Sequence, residues 1–392
     1  MSRLNKLIQD LCPNGVKFEP LAKLIQLNFG ERITKLHNAG SLYPVYGGGG
    51  ESFRTDEFNR QNEYVVSRFA MSRECVRKVN GKFWLLDSGF TFSPLNNSIS
   101  KDYIAYWLLN SQDRIFSCTS QGAQKNLNTK AFLAFYVPVP PLHIQEEIVR
   151  ILDSFTSLEA ELEAELASRR EQYNYYRDNS MIFDLHNTSF MTLGDFGTVF
   201  GGLTGKSKAD FGNVGEPYVT YSNVYNNKAT DITAHSYVQI DPAEHQNTLQ
   251  QGDILLTGSS ETPNEVALSS VITKPVDNPL YLNSFTIGIR PKQPLLDLDF
   301  AKHLFRSAPI RRQLIRTASG VTRFNVSKSR LAKVMIPIPD REIQENIATE
   351  LDKFDVLANS LYSGLPAEIE ARHKQYEYYR NRSLTFKELN HE

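Results

Sequence analysis

The stretch GGLTGKS at 201–207 joins a glycine-rich turn to a lysine and a hydroxyl, the parts that cradle a nucleotide's phosphates. The full pattern requires glycine at 200, where Phe200 stands, and no strong strand precedes it, so a nucleotide site is disfavoured. GGGG at 47–50 reads as a loop, open to a close backbone approach by a phosphate. The eight histidines form no HExxH or other ligand spacing, which argues against a metal centre. There is no NPPY of the methyltransferase kind and no GxSxG elbow. The carboxylates of ELEAELA (161–167) fit one solvated or partner-facing side of a helix. No catalytic or cofactor site is expected in this chain.

The basic residues carry more information. Residues 302–333 hold Lys302, Arg306, Arg311, Arg312, Arg316, Arg323, Lys328, Arg330 and Lys333 with no acid among them. Residues 114–145 hold Arg114, Lys125 and Lys130, again with no acid. Between 60 and 82, Arg60, Arg68, Arg73, Arg77, Lys78 and Lys82 face only Glu63 and Glu74. The segment 142–183 has nine acids against four bases, so a net charge of −1 conceals +4 on the rest of the chain. Like charges massed this way repel unless an anion lies near, which favours phosphate contact over mere solubilisation.

Reading a base sequence needs arginine or lysine on guanine and asparagine or glutamine on adenine. GAQKNLN (122–128) and GVTRFN (320–325) follow the two basic stretches at matching positions. They offer Gln124, Lys125 and Asn126 in one, Arg323 and Asn325 in the other. The matched asparagines could equally cap a following helix. Arg68, Arg73, Lys206, Lys208, Arg311 and Arg312 complete the candidate contacts.

The elements that must position these residues are written twice. IQEEIVRILDSF (144–155) and IQENIATELDKF (343–354) match at seven of twelve positions, 199 residues apart. EQYNYYRDNSMIF (171–183) and KQYEYYRNRSLTF (374–386) match at seven of thirteen. PVP (138–140) and PIP (337–339) share the offset of 199. A period this long is a duplicated domain with its connector. Apolar residues at three- and four-residue steps predict long helices with a coiled-coil-like seam. The first seam runs through Ile148, Ile151, Phe155, Leu158, Leu162, Leu166, Tyr173 and Tyr176, and the second through Ile347, Leu351, Phe354, Leu357, Leu361, Leu365, Ile369, Tyr376 and Tyr379. Copies related by a pseudo-two-fold axis would pair antiparallel. The second copy is four residues longer and carries Gly364-Leu365-Pro366, where a kink or restart is expected.

The intervening blocks read as α/β. Strands are expected at 43–46, 62–67 and 83–92, and again at 216–221, 252–257 and 280–289, with helices at 102–116 and 298–316. The cysteines Cys12, Cys75 and Cys118 form no CxxC pair, which points to a reducing compartment. No run approaches the ~20 apolar residues of a membrane span, and MSRLNKLIQDLCPNG lacks a leader's apolar core.

PPLHIQEEIVRILDSF, ELASRREQYNYYRDNSMIF, PDREIQENIATELDKF and GLPAEIEARHKQYEYYRNRSLTF resemble the repeated helices of type I restriction–modification specificity subunits, as LCPNGVKFEPLAKL resembles the family's beginning. The resemblance covers essentially the whole chain, although the first helix lacks the GLP insertion. It implies an α/β protein with two duplicated target recognition domains separated by two long antiparallel coiled-coil-like helices. The expected divisions are 1–139, 140–186, 187–338 and 339–392. It also implies a non-catalytic, cytoplasmic, DNA-associated bacterial or archaeal subunit. Each recognition domain would read half of a bipartite gapped target on double-stranded DNA. The helices would set the gap, since a ~40-residue helix spans ~60 Å against the ~34 Å of one DNA turn. Two modification subunits would bring S-adenosylmethionine and methylate adenine at N6, and restriction subunits would bring ATP and Mg. The repeated QYxYYR stretches, with Tyr175, Tyr176, Arg177, Tyr378, Tyr379 and Arg380, become the docking candidates, Tyr175 and Tyr378 foremost because they lie off the seam. A coiled-coil scaffold with two protein-binding heads is the rival reading and would bind without steep salt dependence.

Overall fold

The structure is a computed structural model that describes residues 2–120, 124–233, 236–359 and 364–389. The chain forms two compact units, Met1–Leu162 with Ile369–Glu392, and Glu163–Glu368. Each contains one α/β domain, part of the central helix and part of the C-terminal helices.

In the first unit a six-stranded sheet runs in the order Ile25–Phe29, Gly89–Pro94, Arg60–Ser67, Val76–Leu85, Tyr43–Tyr46, Glu51–Thr55. Tyr64, Val65, Val66 and Ser67 are buried on both faces, as a central strand's residues must be. The helix Lys101–Asn110 is capped by Ser100 and sinks Tyr103, Ile104 and Trp107 into the core beside this sheet. Lys17–Pro20 pairs antiparallel with Tyr136–Val139, closing the domain just before the central helix begins.

The second unit repeats the plan. Gly197–Gly201, Thr286–Pro291, Ile254–Thr257 and Ser269–Val271 form a sheet in the order of their counterparts in the first four strands above. Ser189–Thr192 pairs with Met335–Ile338, the counterpart of the closing ribbon.

Several expected elements divide. The run 83–92 breaks at Leu86–Ser88 into two strands, and 280–289 becomes Tyr281–Leu282 and Thr286–Pro291. The strand expected at 216–221 stops at Val219, because the Thr220 hydroxyl accepts from the Asn223 amide and starts the helix Tyr221–Asn226. The helix expected at 102–116 is Lys101–Asn110 followed by Gln112–Ser117. The helix expected at 298–316 stops at Leu304 and restarts at Ala308, with Pro309 in the new first turn.

The central helix runs unbroken from Leu142 to Ser180. The C-terminal repeat is helical from Arg341 to Asn359 and, after the bend at Gly364, starts a helix at Leu365 with Pro366 in its first turn, the expected restart. In the first unit Phe155 meets Tyr376 and Tyr379 while Glu159 meets His373, so the two helices run antiparallel. Leu158, Leu162 and Leu166 are half-buried, as a two-helix seam allows. Leu357 leaves the seam and stands 52% exposed. Leu361, like Gly122 of the first candidate loop, lies outside the described residues.

Each helix is locked to its domain by the glutamine of the repeated IQE. Gln145 Nε2 donates to the carbonyls of Pro140 (2.7 Å) and Ser98 (3.0 Å), and its Oε1 accepts from the amide of Ser100. Gln344 repeats this with Pro339, Leu295 and the amide of Asp297. Both glutamines are buried, and each fixes the residue that caps the helix carrying the domain's core.

Candidate nucleic-acid interface

The first domain brings three of its candidates together. The chain leaving the strand Arg60–Ser67 runs beside residues 125–127. Leu127 N donates to Arg68 O (2.8 Å), and Met71 N donates to Lys125 O (2.9 Å). Asn126 Oδ1 accepts from the amide of Ala70 (3.3 Å), a residue held at φ 49°. That left-handed conformation is costly for alanine, and Asn126 secures it. The Arg68 guanidinium sits between the rings of Phe29 (4.9 Å) and Phe69 (4.7 Å). Gln124 is exposed, and Lys125 Nζ reaches Ser120 O at 3.4 Å. Arg73 is exposed but pairs with Asp113 at 3.0 Å.

The second domain has the same junction. Val326 N donates to Gly258 O (2.9 Å), as Leu127 does to Arg68 O. The hairpin Ala318–Ser319 to Phe324–Val326 exposes Arg323, whose guanidinium lies 5.4 Å over the Phe285 ring. Gly320 turns this hairpin at φ 150°, where an added Cβ would meet Arg323 O at 1.9 Å. Asn325 is exposed and donates to Arg323 O (3.4 Å). Neither matched asparagine caps the next helix. Asn128 and Ser327 do, each accepting from an amide of the first turn.

Other candidates are corrected by their surroundings. Arg311 is buried, and its guanidinium donates to the carbonyls of Ala267, Asn264 and Val266. Burial pushes its pKa down to about 10. Arg306, from the same run, donates to the carbonyls of Ser269, Val224, Tyr225 and Asn227. Lys302 is tied to Asp299 and Asp352. Lys206 is enclosed against Glu244 at 2.5 Å and cannot reach a phosphate as placed. Ser207, the last residue of the same glycine-rich stretch, donates from its amide and hydroxyl to Asp210 just beyond it. Arg312, Arg316, Lys328, Arg330, Lys333 and Lys208 remain exposed. In the GGGG segment the carbonyls of Gly47 and Gly48 accept from Arg77, so this loop is held from within.

Of the docking candidates, Tyr175 (67%) and Tyr378 (56%) show most of their surface. Tyr176 stacks on Phe354 and Tyr379 on Phe155. Arg177 is engaged by Asp178 and lies over the Tyr173 ring, while Arg380 donates to Asn110 Oδ1 (2.9 Å). These four serve their own units.

A buried polar cluster escaped the sequence reading. Tyr173 Oη meets His303 Nδ1 at 2.9 Å, and His303 Nε2 meets Asp352 Oδ1 at 2.7 Å. Lys228 Nζ donates to Tyr173 Oη (2.9 Å) and bonds Asp355. Burial lowers the pKa values of His303 and Lys228, and Asp352 is lowered by His303 and Lys302 against the opposing effect of its own burial. In the first domain Tyr106 Oη donates to Asp153 at 2.5 Å in the corresponding place. Asp153 and Asp352, 199 residues apart, were the available signal. Among the described residues no cluster of His, Cys, Asp or Glu could hold a metal ion, and no helix is long and apolar enough to cross a membrane.

The comparisons follow this duplicated architecture. The family profile described as type I restriction modification DNA specificity domain matches twice, at residues 15–168 and 186–371. The chain belongs to that family. It is 31% identical over 344 residues to the Escherichia coli type I restriction enzyme EcoR124I/EcoR124II specificity subunit, covering 84% of this chain and 79% of that one. The fold is similar to the crystal structure of the type I system S subunit from M. genitalium, with a TM-score of 0.56, 15% identity and coverage of 94% and 96%. It is also similar to a chain solved in work on complex assembly and conformational transition of the type I system, with a TM-score of 0.57, 12% identity and coverage of 95% and 98%. This specificity subunit is thus a non-catalytic recognition component with two α/β domains and two long antiparallel helices.

Proposed function

We propose that each recognition domain of this specificity subunit reads one half of a bipartite, gapped sequence on double-stranded DNA. The observation that carries this reading is the junction built twice. Arg68 with residues 124–127, and Gly258 with the hairpin bearing Arg323, occupy the same place in two copies of one frame. The copies carry different side chains there, so one frame would read two different half-sites. The exposed cations of 312–333 supply sequence-independent attraction to the phosphates.

The paired helices would act as the spacer, since 39 residues of helix are about 58 Å long. Two modification subunits would dock against them and methylate adenine at N6 on a base turned out of the duplex. S-adenosylmethionine would be held by those subunits, and ATP and Mg by the restriction subunits that complete the enzyme. The work would take place in the bacterial or archaeal cytoplasm, where the DNA is.

The test is methylome sequencing of a host that expresses the chain with the modification subunits of its own system. N6-methyladenine in a split motif supports the reading. No new methylation from a stable complex overturns it in favour of a scaffold, as would DNA affinity indifferent to salt.

A further inference from the structure

The second domain contains a concavity of about 360 Å³ between the helix Tyr221–Asn226, the strand Ser259–Ser260, the Phe285 loop and the hairpin bearing Arg323. Ser259 lines it and is only 6% exposed, yet among the described residues its Oγ has no hydrogen-bond partner. The floor of the concavity is therefore polar, with the Ser259 side chain just beneath its surface.

The walls suit a flat polar ligand. Tyr221 and Tyr225 stack 6.2 Å apart at 21°, and the Tyr221 hydroxyl is fixed on Ser259 O at 2.8 Å. Phe285 is 57% exposed, and the Arg323 guanidinium lies over its ring. Glu265 is occupied by the hydroxyls of Thr262 and Tyr225, which lower its pKa. Glu261 has no such tie among the described residues, and Arg323 has no carboxylate partner there either. One planar cation and one carboxylate thus line a small concavity without neutralising each other.

These groups complement the two edges of a G·C pair. An arginine fork donates to guanine O6 and N7, and a carboxylate accepts from the cytosine amino group. At the matching position of the first domain, 199 residues earlier, stands Gln124, whose amide suits adenine. We propose that this concavity is the base-reading element of the second recognition domain. Arg323 donates to guanine, and Glu261 accepts from its paired cytosine.

This inference rests on the reading of the chain as a two-part DNA reader, and the experiment separates the two. The methylated motif is determined for the wild type and for Arg323→Gln, Glu261→Gln and the exposed Lys274→Ala, each co-expressed with the modification subunits and checked for thermal stability. The expected result is a G·C position in one half-site of the wild-type motif. Arg323→Gln and Glu261→Gln relax that position on the order of tenfold to a hundredfold. The other half-site and the gap do not change, and Lys274→Ala leaves the motif as it was. If either glutamine variant keeps full discrimination at every position, the inference fails, and Arg323 is then a phosphate contact. If Arg323→Gln does not fold, Glu261→Gln decides alone. A wild type with no split motif overturns the underlying reading instead.

Discussion

The ring of Phe155 stacks on that of Tyr379, with centroids 5.4 Å apart and planes 26° apart. Phe354 does the same with Tyr176 at 5.2 Å and 22°. Each pair joins the first half of one repeated helix to the second half of the other. The identical residues of the two repeats are therefore partners within a unit, which is why both copies must be kept. Removing either phenylalanine deletes a half-buried stacked contact. Phe155→Ala or Phe354→Ala should cost about 2 kcal/mol, read as a lowered midpoint in thermal or denaturant unfolding, with the methylated sequence unaltered wherever complex still forms.

Arg311 and Arg312 are adjacent and should behave oppositely. Arg311 satisfies three carbonyls around Ala267, which is held at φ 57°. Lysine has neither the reach nor the fork to replace it. Arg311→Lys should lower stability by about 3 kcal/mol and leave the salt dependence of DNA binding unchanged in the folded fraction. Arg312→Ala should leave the melting midpoint alone and reduce the slope of log K against log salt by ~0.9. A stable Arg311→Lys protein would remove the structural role assigned to this residue.

The contrast between those neighbours marks how far the sequence could be read. The duplication, the long helices and the restart near Gly364 were visible because they depend on local periodicity and on identical residues at one offset. Gln145 and Gln344 were visible as a match, though not as latches. The basic run misled, because a count of cations does not reveal which ones the carbonyls of distant turns and helix ends will claim. Arg306 and Arg311 donate to carbonyls some 40 to 80 residues away in sequence. Phe285, Ser259 and Glu261 carried no signal, since loops far apart in sequence converge there only after the sheet forms.

His303 should make the second unit acid-sensitive. Burial lowers its pKa below the ordinary 6.5, outweighing the opposing pull of Asp352. Lys302 and Lys228 also face it and disfavour its charge. The unfolded chain therefore binds a proton that the folded chain resists. Stability from this site is full above the unfolded pKa near 6.5 and declines as pH falls through it, towards the lowered folded value. Asp352, lowered in the folded state, adds a further loss only nearer pH 4. His303→Gln should flatten the change in melting midpoint between pH 7.5 and 5 relative to the wild type. Parallel pH profiles for the two proteins would exclude His303 as the cause.

Tyr175 and Tyr378 are the two ring-bearing positions of the repeats that their own units leave open. Each leans edge-on against the next tyrosine, Tyr176 at 5.7 Å and Tyr379 at 5.3 Å, and that neighbour carries the intramolecular stack. The doublet thus divides its labour, one ring inward for folding and one outward. A large exposed ring with a polar tip suits a protein interface. If modification subunits dock there, Tyr175→Asp with Tyr378→Asp should weaken their binding by at least tenfold, the effect of burying an unpaired charge at each site. Helical content and melting midpoint should stay near wild type, because neither ring packs in a core. The single variants should each remove one of two subunits, shifting the complex mass seen by sedimentation rather than abolishing assembly. Undiminished binding by the double variant would place the docking surface elsewhere on the helices.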